Sequence, residues 1–174
     1  MKKTLIPFLA LILLCSFTAA TLAPVDSEDA VTFVIRNFGI GTKGSLNGLR
    51  GVIKWDAANP AASQINASVD VNTLNTGINM RDKDLKEEKY FNLAKYPTIN
   101  FTSTAVSATS ITGNLTIKGI TKSITFPITV TPSGAGYLFK GEFTINRRDF
   151  NVGEGSMVLS DDVKVTLKVQ ANPA

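Results

Sequence analysis

The chain has 174 residues, with 18 Lys and Arg against 14 Asp and Glu, a single cysteine and no histidine. That length suits one domain able to bury a core without metal or disulfide staples. The missing histidine excludes Ser-His-Asp and Cys-His dyads, His-ligated zinc and imidazole proton transfer. Carboxylate chemistry, Ser/Lys chemistry, oxygen-ligated ions and plain binding remain.

At the start, Lys2 and Lys3 head an apolar run from Leu5 to Phe17, and small residues follow at Thr18, Ala19 and Ala20. This is the layout of a secretory signal peptide, and the run is too short to anchor the chain across a bilayer. The expected division is a leader over 1–20 and one β domain over 21–174. Cleavage after Ala23 is disfavoured because it would set Pro24 beside the scissile bond. A lipoprotein signal needs a small residue before its cysteine, and Leu14 stands before Cys15. Loss of the leader makes the mature chain thiol-free, which removes disulfides, thiol nucleophiles and cysteine metal sites. It also takes Lys2 and Lys3, lowering the formal charge of +4 by two. The basic excess then gives no support for nucleic-acid binding. No later apolar run has the length of a membrane span, so no transmembrane anchor is expected after cleavage, and the expected location is periplasmic or secreted.

The mature chain alternates with period two. The strongest runs are Ile65, Ala67, Val69 and Val71; Ile111, Leu115 and Ile117; Ile124, Phe126, Ile128 and Val130; and Val163, Val165, Leu167 and Val169, each interleaved with polar residues. Such runs are strands with one dry and one wet face. Weaker alternation predicts strands over 30–36, 49–56, 98–105 and 137–146, which makes about eight. Turn signals stand at Asn59-Pro60, Gly119, Ser133-Gly134 and Gly136. An antiparallel sandwich or a closed barrel fits this pattern. Pro127 lies inside one strand and predicts an edge, a bulge or a position whose missing N–H faces away from its neighbour.

One segment departs from period two. Arg81 to Lys89 carries charge at every position but Leu85, with carboxylates and lysines at helical spacing, and predicts a short surface helix near 80–90. Its Asp82 and Asp84, and the Asp161-Asp162 pair, could in principle bind calcium or share a catalytic proton. Neither has the spacing of a calcium loop, and basic neighbours offer simpler partners. Arg147 and Arg148, in Asn-Arg-Arg-Asp-Phe, could clamp a phosphate or carboxylate at a cavity mouth; the alternative is an ion-paired turn. Asn-x-Ser/Thr triplets at Asn66, Asn100 and Asn114 are by-products of strand alternation. No residue set resembles a catalytic or metal site, and no cofactor is expected.

Several phrases, in order, resemble the YceI-like family of bacterial secreted proteins. They are Asp70-Val71 and Leu74-Asn75-Thr76-Gly77; Arg81-Asp82 with Leu85; Tyr90-Phe91-Asn92; Lys95 to Phe101; Gly113 to Lys122; Ile145 to Phe150; and Ser160 to Val163. The likeness spans residues 25–171. It implies an all-β, eight-stranded, lipocalin-like antiparallel barrel with one short helix, holding a polyisoprenoid, an isoprenoid quinone or another long-chain lipid. It also implies a periplasmic or secreted protein, often a homodimer, in a family not established as enzymes. The chain departs from the family where a His-Ser pair commonly enters the first strand, reading Ser27-Glu28-Asp29-Ala30-Val31, and where Asn151 follows Phe150 in place of a common glycine.

A barrel of eight strands is either filled by side chains or hollow enough for one ligand. The dry faces nominate Phe33, Ile35, Ile53, Trp55, Val69 and Phe101 as lining, together with Leu115, Phe126, Ile128, Phe139, Phe143 and Val165. The competing expectation for the whole chain is a solid, non-enzymatic β module of the cell envelope that docks a partner. A hydrolase relying on Asp82 or Asp161-Asp162 is a distant third.

Overall fold

Alternation is realised as ten strands in one antiparallel sheet that closes on itself. The computed structural model describes residues 19–174; the leader reading of residues 1–18 lies outside the described residues. In chain order the elements are β1 (Ala20–Pro24), β2 (Val31–Asn37), β3 (Ile40–Ser45), β4 (Arg50–Trp55), β5 (Gln64–Asp70), helix α1 (Asn79–Lys86), β6 (Thr98–Val106), β7 (Ser110–Ile117), β8 (Ile120–Ser133), β9 (Gly136–Asn146) and β10 (Leu159–Pro173).

The ten strands make eight staves. β10 pairs β9 along one edge, and along the other it pairs β2 through Leu159 to Leu167 and β1 through Ala171 to Pro173. β1 and β2 are thus one stave interrupted at 25–30. Val25 donates its N–H to the Gln170 carbonyl (2.7 Å) and Lys168 donates to the Ala30 carbonyl (2.9 Å) across that interruption. β3 and β4 form the next stave, β3 on β2 and β4 on β1. The Asp26 carboxylate accepts from the N–H groups of Gly48 (2.9 Å) and Leu49 (3.0 Å), pinning the bend between them. β4 to β9 then pair in sequence order, and the β1–β10 ladder closes the ring. The expected eight-stranded barrel with a short helix near 80–90 is what forms.

Two strands carry no alternation and escape the sequence reading. β1 abuts the leader, and β3 (Ile-Gly-Thr-Lys-Gly-Ser) presents only Ile40, Thr42 and Gly44 to the inside. Pro127 stands where β8 changes partner. Its last pair with β7 is Ser110↔Pro127, and its first with β9 is Ile128↔Gly141. A residue without an N–H belongs at such a junction, where it forfeits no ladder bond.

Antiparallel connectivity places the β2–β3, β5–β6, β7–β8 and β9–β10 connections at one end of the barrel and the β4–β5, β6–β7 and β8–β9 connections at the opposite end. The opposite end is shut. Trp55 packs edge-on against Phe139 (ring centroids 5.4 Å apart) and Tyr137 (6.3 Å), beside buried Leu22, Val106 and Ala171. At the first end, Tyr90 and Phe91 from the β5–β6 connection and Phe150 and Val152 from the β9–β10 connection pack over Leu115 and Ile117. Hydrogen bonds lace this partial lid: the Gly153 N–H donates to the Lys89 carbonyl (3.1 Å), and the Lys118 ammonium donates to the Asn151 carbonyl (2.8 Å). Asn151, where relatives were expected to carry glycine, takes the left-handed conformation (φ 53°). Asparagine tolerates that conformation better than other residues bearing a Cβ.

β1 closes the ring through a single fully buried anchor, Leu22 (1% exposed). Leu22→Ala is expected to cost about 2–5 kcal/mol, read as a lowered urea midpoint; an unchanged midpoint would show that β1 does not close the barrel.

Candidate ligand-binding site

The inward faces enclose a cavity of about 600 Å³, within the range of small-molecule sites. Its walls differ. On the side of β4, β5 and β7, Ile53, Ile65, Val69, Ile111 and Leu115 are buried and belong to the packed core. On the side of β2 and β10, Phe33, Ile35, Val163 and Val165 also point inward, yet they are only half-buried and join neither core cluster. They stand opposite one another in pairs, Ile35 with Val163 and Phe33 with Val165, and line the hollow.

Aromatic rings shape the rest. Phe101, Phe126 and Phe143 form a run across the interior, with centroids 5.7 Å and 4.8 Å apart. The ladder between β8 and β9 runs only from Ile128 to Ser133, so the wall splays between Ile120–Phe126 and Glu142–Asn146. Phe126 and Phe143 fill that split from inside. Two rings lie flat on glycines of a neighbouring strand: a Cβ on Gly44 would overlap the Phe33 ring, and one on Gly113 the Phe101 ring. Close approach of ring to backbone is what keeps those rings out of the void.

Of the twelve residues nominated as lining, the structure sets eleven around the cavity: Phe33, Ile35, Ile53, Val69, Phe101, Leu115, Phe126, Ile128, Phe139, Phe143 and Val165. Trp55 is not among them. It points into the same barrel but serves as the plug of the shut end, and its buried indole N–H has no hydrogen-bond partner among the described residues.

The paired arginines divide. Arg147 reaches the cavity wall but is 5% exposed and committed elsewhere. It donates to the carbonyls of Ser160 (3.0 Å), Val152 (2.8 Å) and Glu154 (2.9 Å) and to the Asp161 carboxylate (2.8 Å). Four of the five guanidinium N–H donors are so used, and the residue organises the β9–β10 connection. Arg148 is exposed and does not line the cavity. The ion-paired turn is therefore the reading the structure supports for this motif.

The carboxylate clusters are likewise occupied. Asp82 is buried and accepts from the Thr76 backbone N–H (2.8 Å) and hydroxyl, and Asp161 receives Arg147. Outside the barrel, Asp29 accepts from the Lys168 ammonium (2.6 Å) and from Ser27, and these contacts hold its carboxyl below the ordinary value.

The opening lies between the β2–β3 hairpin, α1 and the start of β10, bordered by Asn37, Thr42, Ile78, Met80, Arg81, Asp84 and Leu159. Arg81 is the polar group that sequence reasoning missed here. It donates twice to Thr76, through Nε to the hydroxyl and Nη2 to the carbonyl, both at 2.7 Å. Among the described residues the other three N–H donors have no protein partner. A cation in the first turn of a helix opposes the macrodipole, and the two bonds to Thr76 hold Arg81 there.

Closed barrel, apolar hollow and partly lidded mouth define a hollow antiparallel β-barrel open at one end. The chain belongs to the YceI-like family, since the model of the YceI-like domain matches residues 22–171. It is 32% identical to the UPF0312 protein ECA1782 of Pectobacterium atrosepticum, over 98% of this chain and 97% of that protein. It is 31% identical to Protein YceI of Salmonella arizonae over the same shares. Among solved structures, BcnA of Burkholderia cenocepacia superposes with a TM-score of 0.76 at 26% identity, covering 86% of this chain and 94% of BcnA. A polyisoprenoid binding domain from Saccharophagus degradans shares the fold, with a TM-score of 0.70 at 17% identity over 90% of this chain and 99% of that one.

Arg147→Ala would strand three carbonyls and leave a buried void, and is expected to destabilise the protein by about 3 kcal/mol or more. Arg148→Ala is expected to stay within about 0.5 kcal/mol of wild type. Equal unfolding midpoints for the two variants would contradict the division of roles.

Proposed function

We propose that this protein binds a long isoprenoid chain, a polyprenyl species or an isoprenoid quinone, inside the barrel after export to the periplasm or medium, and so carries, stores or sequesters it. The observation that carries the reading is the hollow against Phe33, Ile35, Val163 and Val165. A protein built only to dock partners through its surface gains nothing from leaving four large apolar side chains facing a void, because closing that space would add stability. At roughly 30 Å³ per heavy atom, as in a liquid, the cavity of about 600 Å³ holds on the order of 20 carbons, or about four isoprene units. Each methylene taken from water contributes roughly 0.8 kcal/mol, offset in part by ordering of the chain.

A longer chain would project through the mouth, where those three N–H donors of Arg81 face oxygen acceptors of a head group. The name of the Saccharophagus degradans domain supports the choice of ligand class. The family and this apolar interior support a binding role over catalysis. Among the described residues no helix is long and apolar enough to cross a membrane, and the leader reading supports export.

Substitutions on the void-facing wall test the reading with little risk to the fold, since that wall is outside the packed core. Val165→Trp is expected to fill the hollow and lower uptake of a polyprenol from detergent micelles at least about tenfold, with a thermal midpoint near that of wild type. Wild-type uptake by folded Val165→Trp would overturn the proposal. Isoprenoid quinone and polyprenyl phosphate, titrated alongside, distinguish the head groups.

A further inference from the structure

The large apolar side chains that the fold leaves outside are not scattered. Eight are exposed among the described residues, and six of them gather at the open end: Phe38, Ile40, Ile78, Met80, Met157 and Val158. The four most exposed, Phe38 (74%), Ile40 (73%), Met80 (77%) and Met157 (fully exposed), are all in this group. Topology explains the gathering. Phe38 and Ile40 sit at the tip of the β2–β3 hairpin, and Phe38 donates its N–H to the Val158 carbonyl (2.9 Å), joining tip to the segment before β10. Ile78 and Met80 face them from the first turn of α1 and, like neighbouring Asn37 and Leu159, border the cavity. The hydrophobic rim is continuous with the mouth of the hollow.

Phe38 adds a second, independent observation. It occupies the first position of a two-residue turn with φ 51°, followed by Gly39 at φ 76°. Such turns favour asparagine or aspartate before glycine, and a bulky side chain there is strained. The residue is neither buried nor comfortable, so folding does not account for it, and strain of this kind collects at functional segments. Basic side chains flank the rim, Arg36 and Lys43 on the hairpin and Arg81 and Lys83 on α1, and the acidic neighbours are Asp84 on α1, Glu154 on the segment that leads into β10 and Asp162 near the start of that strand.

We propose that this rim is a membrane-docking surface, through which the mouth of the barrel seats on an anionic lipid bilayer. Apolar side chains at the tips of two connections enter the boundary between head groups and acyl chains, and the flanking cations meet lipid phosphates. The inference rests on the isoprenoid-binding reading and says how the ligand enters. A long isoprenoid resides in a bilayer, and moving it through water costs about 0.8 kcal/mol per exposed methylene. A mouth held against the membrane lets the chain pass from acyl layer to hollow without that exposure.

Vesicle flotation with phosphatidylethanolamine containing a minority of phosphatidylglycerol, run beside polyprenol uptake from detergent micelles, tests the proposal and its premise separately. Phe38 and Met157 do not line the cavity, so Phe38→Ser with Met157→Ser keeps micellar uptake. The pair is expected to lower the vesicle partition coefficient roughly a hundredfold, and phosphatidylethanolamine alone is expected to bind wild type more weakly. Wild type that stays off the vesicles, or variants that float as well as wild type, would overturn the proposal, and retained micellar uptake would show that the binding reading survives. Flotation without any uptake would overturn the binding reading while the rim's seat on the bilayer stands. A wild-type dimer that dissociates in the variants, with no flotation by any of them, would assign the rim to a second copy of this chain and overturn the proposal.

Discussion

Closure along β10 is the contact on which the rest of the structure depends. This strand of 15 residues carries β9 on one edge and both halves of the β1–β2 stave on the other. An antiparallel sheet of this length with free edges would present unpaired backbone to any neighbouring strand. Closed, it has an inside, and every second residue of its strands is committed to that inside. The hollow, the plug and the mouth follow from which side chains those residues happen to be. Because β1 contributes only a short ladder, the ring is held there by Leu22 in the plugged end as much as by backbone bonds.

Filling is uneven for a physical reason. On one flank Phe101, Phe126 and Phe143 lean on one another and close the split between β8 and β9. The opposite flank carries mainly β-branched residues (Ile35, Val163 and Val165), too short to reach across. Phe33 lies down on Gly44. Space in the barrel is therefore a consequence of side-chain length and glycine placement, set against a plug of Trp55, Tyr137 and Phe139 that shuts one end. Chain connections then determine the other end. The β5–β6 and β9–β10 connections supply a packed lid laced through Lys118 and Gly153, and between that lid and the β2–β3 hairpin lies the opening that Arg81 borders.

Much of this was legible in the sequence, because a half-buried strand writes its two faces as alternation. Eight of the ten strands and the helix announce themselves so, and most of the dry-face residues end up around the hollow. β3 did not, since Phe33 lies on its inward Gly44 and the next inward residue is Thr42, which leaves no apolar alternation. Trp55 reads like a lining residue because plug and lining share one face and differ only in height along the barrel, which period two does not encode. Arg147 and Arg148 are adjacent and chemically alike, yet one is folded into carbonyl contacts and the other left in solvent. Only the path of the β9–β10 connection decides between them. Arg81 was hidden within a run of charges, and its sole local mark was a cation at the wrong end of a helix.

The central claim is that the inside of this barrel exists to be occupied. Native mass spectrometry of protein released from its own cells without detergent, followed by solvent extraction of whatever accompanies it, tests that claim most directly. The structure leads to one apolar, isoprenoid-like molecule per chain, displaceable by added polyprenol. A chain of bare protein mass that takes up neither polyprenol nor isoprenoid quinone would contradict it.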